Sequence, residues 1–123
     1  MGYIVFKELL VWQKAMDLVE EIYNLTKLLP KDEDFVLKSQ IRRAVLSVPS
    51  NIAEGSGKSN KDFARFLSIS VGSLFELETQ ILIAERRGYI SNELSSNLQN
   101  KAIKLQRMIS TFREQLDPQG EGH

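Results

Sequence analysis

The side chains able to do chemistry are few and scattered. The one histidine, His123, is the last residue, a poor place for a base or a metal ligand. Without a central histidine there can be no Ser/His/Asp set. There are no cysteines, which removes disulfides, thiolate nucleophiles and Cys-based metal sites. A helical-bundle di-iron site needs Glu-x-x-His motifs on facing helices, and the chain has none. Glu76 and Glu78 are two apart, so on a helix they point to nearly opposite faces and form no carboxylate dyad. Gly55-Ser56-Gly57-Lys58-Ser59 has the flavour of a phosphate loop. It lacks the Walker spacing and follows a helical stretch, and reads as a turn. Catalytic, cofactor-binding and metal-ligating sets are therefore read as empty, and the chain as non-enzymatic.

Cations are the remaining candidates. Arg42, Arg43, Lys101, Lys104 and Arg107 make a candidate nucleic-acid contact, with Lys101, Lys104 and Arg107 spaced to lie near one helix face. The alternative is solvated surface or intrachain ion pairing. Sixteen basic and sixteen acidic side chains give zero net charge, so phosphate binding would need such a local patch.

These residues are positioned by four helical stretches. In the first, about Glu8 to Leu28, Val11, Ala15, Leu18, Ile22, Leu25 and Leu29 alternate at 4,3 spacing along one side. Pro30 ends it, and Asp32, Glu33 and Asp34 supply the acidic start of a second. There Leu37, Ile41, Ala44 or Val45, Val48 and Ile52 form the apolar stripe. Pro49 lies inside the pattern and predicts one bent helix over Asp34 to Glu54. The Gly55–Asn60 turn leads to a third stretch, capped by Ser59 or Asn60, with Phe63, Leu67, Ser70, Leu74, Leu77, Ile81 and Ala84 inward. It ends at Arg86-Arg87-Gly88. Ser91 or Asn92 caps the fourth, which carries Leu94, Leu98, Ala102, Leu105, Ile109, Phe112 and Leu116.

No stretch has a period of two. The expected fold is all-α, an antiparallel up-down-up-down four-helix bundle over residues 1–117 with a flexible tail over 118–123. No signal peptide or membrane span is read, and the cysteine-free composition suits the cytoplasm.

The first helix is more apolar than a bundle requires. Beside its core stripe runs a second, Trp12, Met16, Val19 and Tyr23, and the third helix adds Phe66, Ile69 and Phe75 outside its own. An apolar excess of this kind predicts self-association through Trp12, Met16, Val19 and Tyr23. In the alternative, the arm Met1 to Phe6 folds over that stripe.

Three segments carry a resemblance. Arg42 to Gly55, RRAVLSVPSNIAEG, resembles the signature of the 23S rRNA intervening-sequence protein family, also called the S23 or four-helix-bundle protein family. Phe63 to Gln80 resembles the family's second signature, and Phe6 to Ala15 is similar to its usual start. The resemblance spans about Phe6 to Leu116. It implies a small bacterial protein of largely unknown function. A related branch, the accessory proteins of diversity-generating retroelements, forms pentameric rings that bind a reverse transcriptase and nucleic acid. The resemblance thus implies a homo-oligomer, a pentamer by that likeness, with RNA or a nucleic-acid-binding protein as partner. The alternative is a purely structural scaffold without nucleic-acid contact. Among the motif residues, Pro49, Asn51, Glu54, Gly55, Glu76 and Glu78 are expected to fix packing. Asn51 and Glu54 are placed near the inner face, and Arg43 is expected to pair with Glu76 or Glu78.

Overall fold

The computed structural model describes residues 5–119. Four α-helices follow one another: α1 (Leu10–Thr26), α2 (Leu37–Gly55), α3 (Asn60–Arg86) and α4 (Asn92–Leu116). No strand occurs among the described residues. Short 3₁₀ turns at Phe6–Glu8 and Lys31–Glu33 precede α1 and α2. Each helix packs on its sequence neighbours, and α1 meets α4 along the loosest seam.

The inward stripes are those the 4,3 spacing marks. Ala15, Ile22, Ile41, Val48, Ile52, Leu67, Leu74, Ile81 and Ile109 are fully buried in one continuous core. Cross-helix contacts set the registers. Val48 and Ser47 of α2 face Ser70 and Ser73 of α3, and Ser68 and Glu78 of α3 face Arg113 and Gln106 of α4. In both pairs, rising numbers on one helix meet falling numbers on the other.

Helix ends follow local chemistry. Ser59 and Ser91 are N-caps, their Oγ atoms accepting from the backbone N–H of Asp62 at 3.2 Å and of Leu94 at 3.1 Å. Gly88, at φ +78°, closes α3 in the left-handed region open to glycine. Two starts lie later than expected. Leu9 is extended, so α1 begins at Leu10. Val36 takes φ −120° and ψ −95°, so the acidic run forms a 3₁₀ turn and α2 begins at Leu37.

Helix α2 runs unbroken through Pro49, which is buried. Proline cannot donate to the carbonyl one turn back, that of Val45. Side-chain donors cluster on the next three carbonyls instead. Ser50 Oγ donates to Leu46 O at 2.8 Å, Asn51 Nδ2 to Ser47 O at 2.8 Å and Ser70 Oγ to Val48 O at 2.9 Å.

The second stripe of α1 differs from its expected role. Val19 is 7% exposed and belongs to the core. Trp12 and Tyr23 are half-buried against it. Phe6 meets Trp12 edge-on at 5.4 Å, so one end of the stripe is covered within the chain. Met1–Ile4 of that arm, and the tail residues 120–123 with His123, lie outside the described residues. Helix α3 carries apolar side chains on its outer side as well as its inner one. By length and composition it could cross a membrane, and its inner side lines the bundle core.

Candidate functional site

The five candidate cations do not share a face. Arg42 sits at the α1–α2 seam. Its Nε donates to Thr26 Oγ1 at 3.0 Å, and its guanidinium lies 4.7 Å over the Tyr23 ring. Thr26 Oγ1 in turn donates to Tyr23 O at 2.8 Å. Arg42 therefore ties α2 to the last turn of α1, a stacking and forked-donor role suited to arginine. Arg43 lies on the other side of α2, in a polar groove with Gln40, Ala44, Ser47, Ser73 and Glu76. Lys101 is ion-paired with Glu21 of α1. Lys104 lines the cleft between α1 and α4, together with Lys14, Asp17 and Met108. Arg107 belongs to a neighbouring apolar groove.

The expected Arg43 partner is not found. Among the described residues the ion pairs are Lys38–Asp34, Arg65–Asp62 and Lys101–Glu21. Glu76 shares the Arg43 groove without closing to an ion pair. Glu78 faces the opposite way, where its Oε2 accepts from Gln106 Nε2 of α4 at 2.7 Å. The two-residue spacing of Glu76 and Glu78 turns one toward α2 and the other toward α4. No cluster of three or more potential metal ligands occurs among the described residues.

The motif residues meet at the α2–α3 seam. Asn51 Nδ2 lies 2.9 Å from Ser47 Oγ, which is 2.8 Å from Ser73 Oγ. Ser70 is fully buried and reaches across to α2. Gly55 is required by close approach, because a Cβ there would come within 2.7 Å of Phe66 Cβ and 2.9 Å of Phe63 Cδ1. Glu54 corrects the expectation of an inner-face position. It is exposed, since its turn of α2 points it away from both neighbouring helices.

Two features escaped the sequence reading. Glu33 joins two loops at one pole of the bundle: its Oε1 accepts from Leu37 N at 3.4 Å and its Oε2 from Tyr89 OH at 2.8 Å. The acidic run signals a helix start, but nothing in it signals Tyr89, 56 positions away. The second is the outer face of α3. Ile69, Phe75, Leu82 and Ile83 are 51%, 57%, 44% and 43% exposed, with open space around Gly72 between them. Ile69 and Phe75 were visible as surplus apolar residues; which side α3 would leave uncovered was not.

The comparisons agree with this architecture. A crystal structure of a protein of unknown function from the S23 ribosomal protein family of Bacteroides thetaiotaomicron is similar, with a TM-score of 0.78 and 26% identity. The match covers 85% of this chain and 99% of that one. No curated protein matches the chain. The profile of the 23S rRNA-intervening sequence protein family matches residues 7–111, and the chain belongs to that family.

Proposed function

We propose that the protein is a non-enzymatic, cytoplasmic, homo-oligomeric scaffold whose outer α3 face is covered by another copy. The observation that carries this reading is the exposed run Ile69, Phe75, Leu82 and Ile83 on one helix. Several large apolar side chains exposed on one helix face, here interspersed with Glu76 and Thr79, are a feature of interaction sites. The contact differs from the one expected on α1, where Val19 is buried and Trp12 lies against Phe6. Five subunits is the number implied by the likeness to ring-forming relatives, and nothing in the chain's own geometry adds to it.

Light scattering at micromolar concentration tests the reading. The expected mass is a multiple of 14.0 kDa. Phe75→Glu with Leu82→Glu should lower it while the helical circular dichroism stays. A wild-type mass of one subunit, or a double variant that assembles normally, would refute it.

A second reading is contact with RNA or a nucleic-acid-associated protein. Its support is narrower than the five cations suggested: Lys104 and Arg107 are exposed on α4 and stand outside the ion pairs. Such binding would fall steeply with salt as phosphates release counterions. An electrophoretic shift with structured rRNA fragments at low salt, lost in Lys104→Glu with Arg107→Glu, is the expected result. No shift at low salt would eliminate the RNA reading.

A further inference from the structure

We infer that the groove between α2 and α3 at Arg43 and Glu76 binds a small zwitterion, a free α-amino acid, with its carboxylate on Arg43 and its ammonium on Glu76. The groove holds about 400 Å³ and is lined by Gln40, Arg43, Ala44, Ser47, Ser73 and Glu76. That volume lies in the range of small-molecule sites. The more buried of these residues, Ala44, Ser47 and Ser73, form its floor. Their side chains are small, so a hollow remains between two helices that meet closely at Gly55. Arg43 and Glu76 are the charged residues of its walls, one of each sign.

The polar groups of the groove are not used up within the chain. The register that sets Ser47 against Ser73 also sets Arg43 against Glu76, yet neither belongs to an ion pair among the described residues. Exposed ion pairs stabilise little, so holding the two apart costs little and leaves both available. On the floor, Asn51 Nδ2 donates to Ser47 Oγ at 2.9 Å, and the Ser47 and Ser73 hydroxyls lie 2.8 Å apart. That last contact uses one of two hydroxyl protons and leaves the other for the groove. Gln80 adds an acceptor. It is 5% exposed, and its Oε1 is buried without a hydrogen-bond partner among the described residues. Gln80 lies two turns from Ser73 on the same side of α3, and the same register sets it against Gln40, at the end of the groove. A buried polar atom without a partner is rare in a folded protein and calls for one.

These groups define the ligand. Arg43 and the free hydroxyl proton require an acceptor, and a guanidinium holds a carboxylate through two parallel hydrogen bonds. Glu76 and Gln80 Oε1 require donors, and a primary ammonium offers three N–H groups. A free α-amino acid carries carboxylate and ammonium on one carbon. A phosphate would meet like charge at Glu76, and a simple cation would meet it at Arg43. Apart from Ala44 the walls are polar, which favours a small or polar ligand side chain. The site lies within one chain and does not rest on the assembly proposed above.

Titration with each of the free protein amino acids, followed by backbone amide NMR, tests the site. At least one should give saturable shifts centred on Ser47 and Ser73. Its N-acetyl derivative lacks the ammonium and its methyl ester lacks the carboxylate. Each should bind roughly tenfold more weakly, as expected for the loss of one charge-assisted contact. Arg43→Gln should weaken the amino acid by a similar factor and leave the methyl ester unchanged. Glu76→Gln should weaken it likewise and leave the N-acetyl derivative unchanged. Both positions are exposed, so both variants should keep the helical circular dichroism of the wild type. The absence of saturable shifts with every amino acid at millimolar concentration overturns the inference. Derivatives that bind as well as the parent overturn it too, as does an affinity that neither substitution changes.

Discussion

The two long seams of the bundle are built differently. At the α2–α3 seam, Gly55 lets Phe63 and Phe66 close against the backbone, and Ser47, Ser70, Ser73 and Asn51 satisfy one another and the carbonyls around Pro49. At the α1–α4 seam, Leu18, Leu105 and Met108 sit under an open cleft rimmed by Lys14, Asp17, Glu21, Lys101 and Lys104. The first seam closes tightly at its Gly55 end and opens into a polar groove at Arg43 and Glu76. The second is held in part by an exposed ion pair, a weak tie. The helices that carry both family signatures pair along the first seam, where Asn51 and Gly55 lie, while Arg42 turns to α1, Glu78 to α4 and Glu54 to solvent.

Four comparisons follow from that contrast and its surroundings, in falling order of effect. Leu67→Ala removes a fully buried side chain from the tight side of α3 and should cost near the upper end of about 2–5 kcal/mol. Leu18→Ala, beside the cleft, should fall near the lower end, because solvent and neighbours can fill the space. Equal losses in urea unfolding would mean that the seams are equally packed.

Next, Gly55→Ala forces a Cβ against Phe66 Cβ and should destabilise by about 1–3 kcal/mol. Gly57→Ala, where a Cβ meets nothing within 4 Å, serves as the control. A Gly55 variant as stable as that control would break the close-approach argument.

Ser70→Ala removes a buried hydroxyl that donates to Val48 O, a carbonyl that also accepts within α2, and should cost about 0.5–1.5 kcal/mol, the net worth of one hydrogen bond. By contrast, Lys101→Ala should change stability by less than about 1 kcal/mol, because both side chains of its pair with Glu21 are well exposed. A larger loss from Lys101 than from Ser70 would reverse the ranking of the seams.

The smallest effect is at Asp62, near the Ser59 cap. The Arg65 guanidinium, which donates to its carboxylate, holds the Asp62 pKa below the ordinary value of 3.8. A folded pKa below the unfolded one means the contribution is complete above 3.8 and is lost as pH falls through the lowered value. Carboxyl NMR titration should show Asp62 titrating below 3.8 in the wild type and rising toward it in Arg65→Ala.

Much of the fold was legible in the sequence, because it rests on local rules. The 3.6-residue period fixed which positions face inward. Ser59, Gly88 and Ser91 marked helix ends through capping geometry that needs no tertiary contact. The absence of cysteines and of a central histidine removes whole classes of chemistry on composition alone. What the sequence could not decide were directions around the helices. Arg42 and Arg43 are adjacent in the chain, yet one stacks on Tyr23 of α1 and the other faces the groove toward α3, because 100° of helical rotation separates them. Val19 and Met16 look alike as surplus apolar residues, and only packing buried one and left the other 38% exposed. The exposed ring of Phe35 and the bare outer side of α3 are products of how four stripes close on one another. A pattern along one chain records how much apolar surface there is. Only the closed bundle decides which part of it faces water.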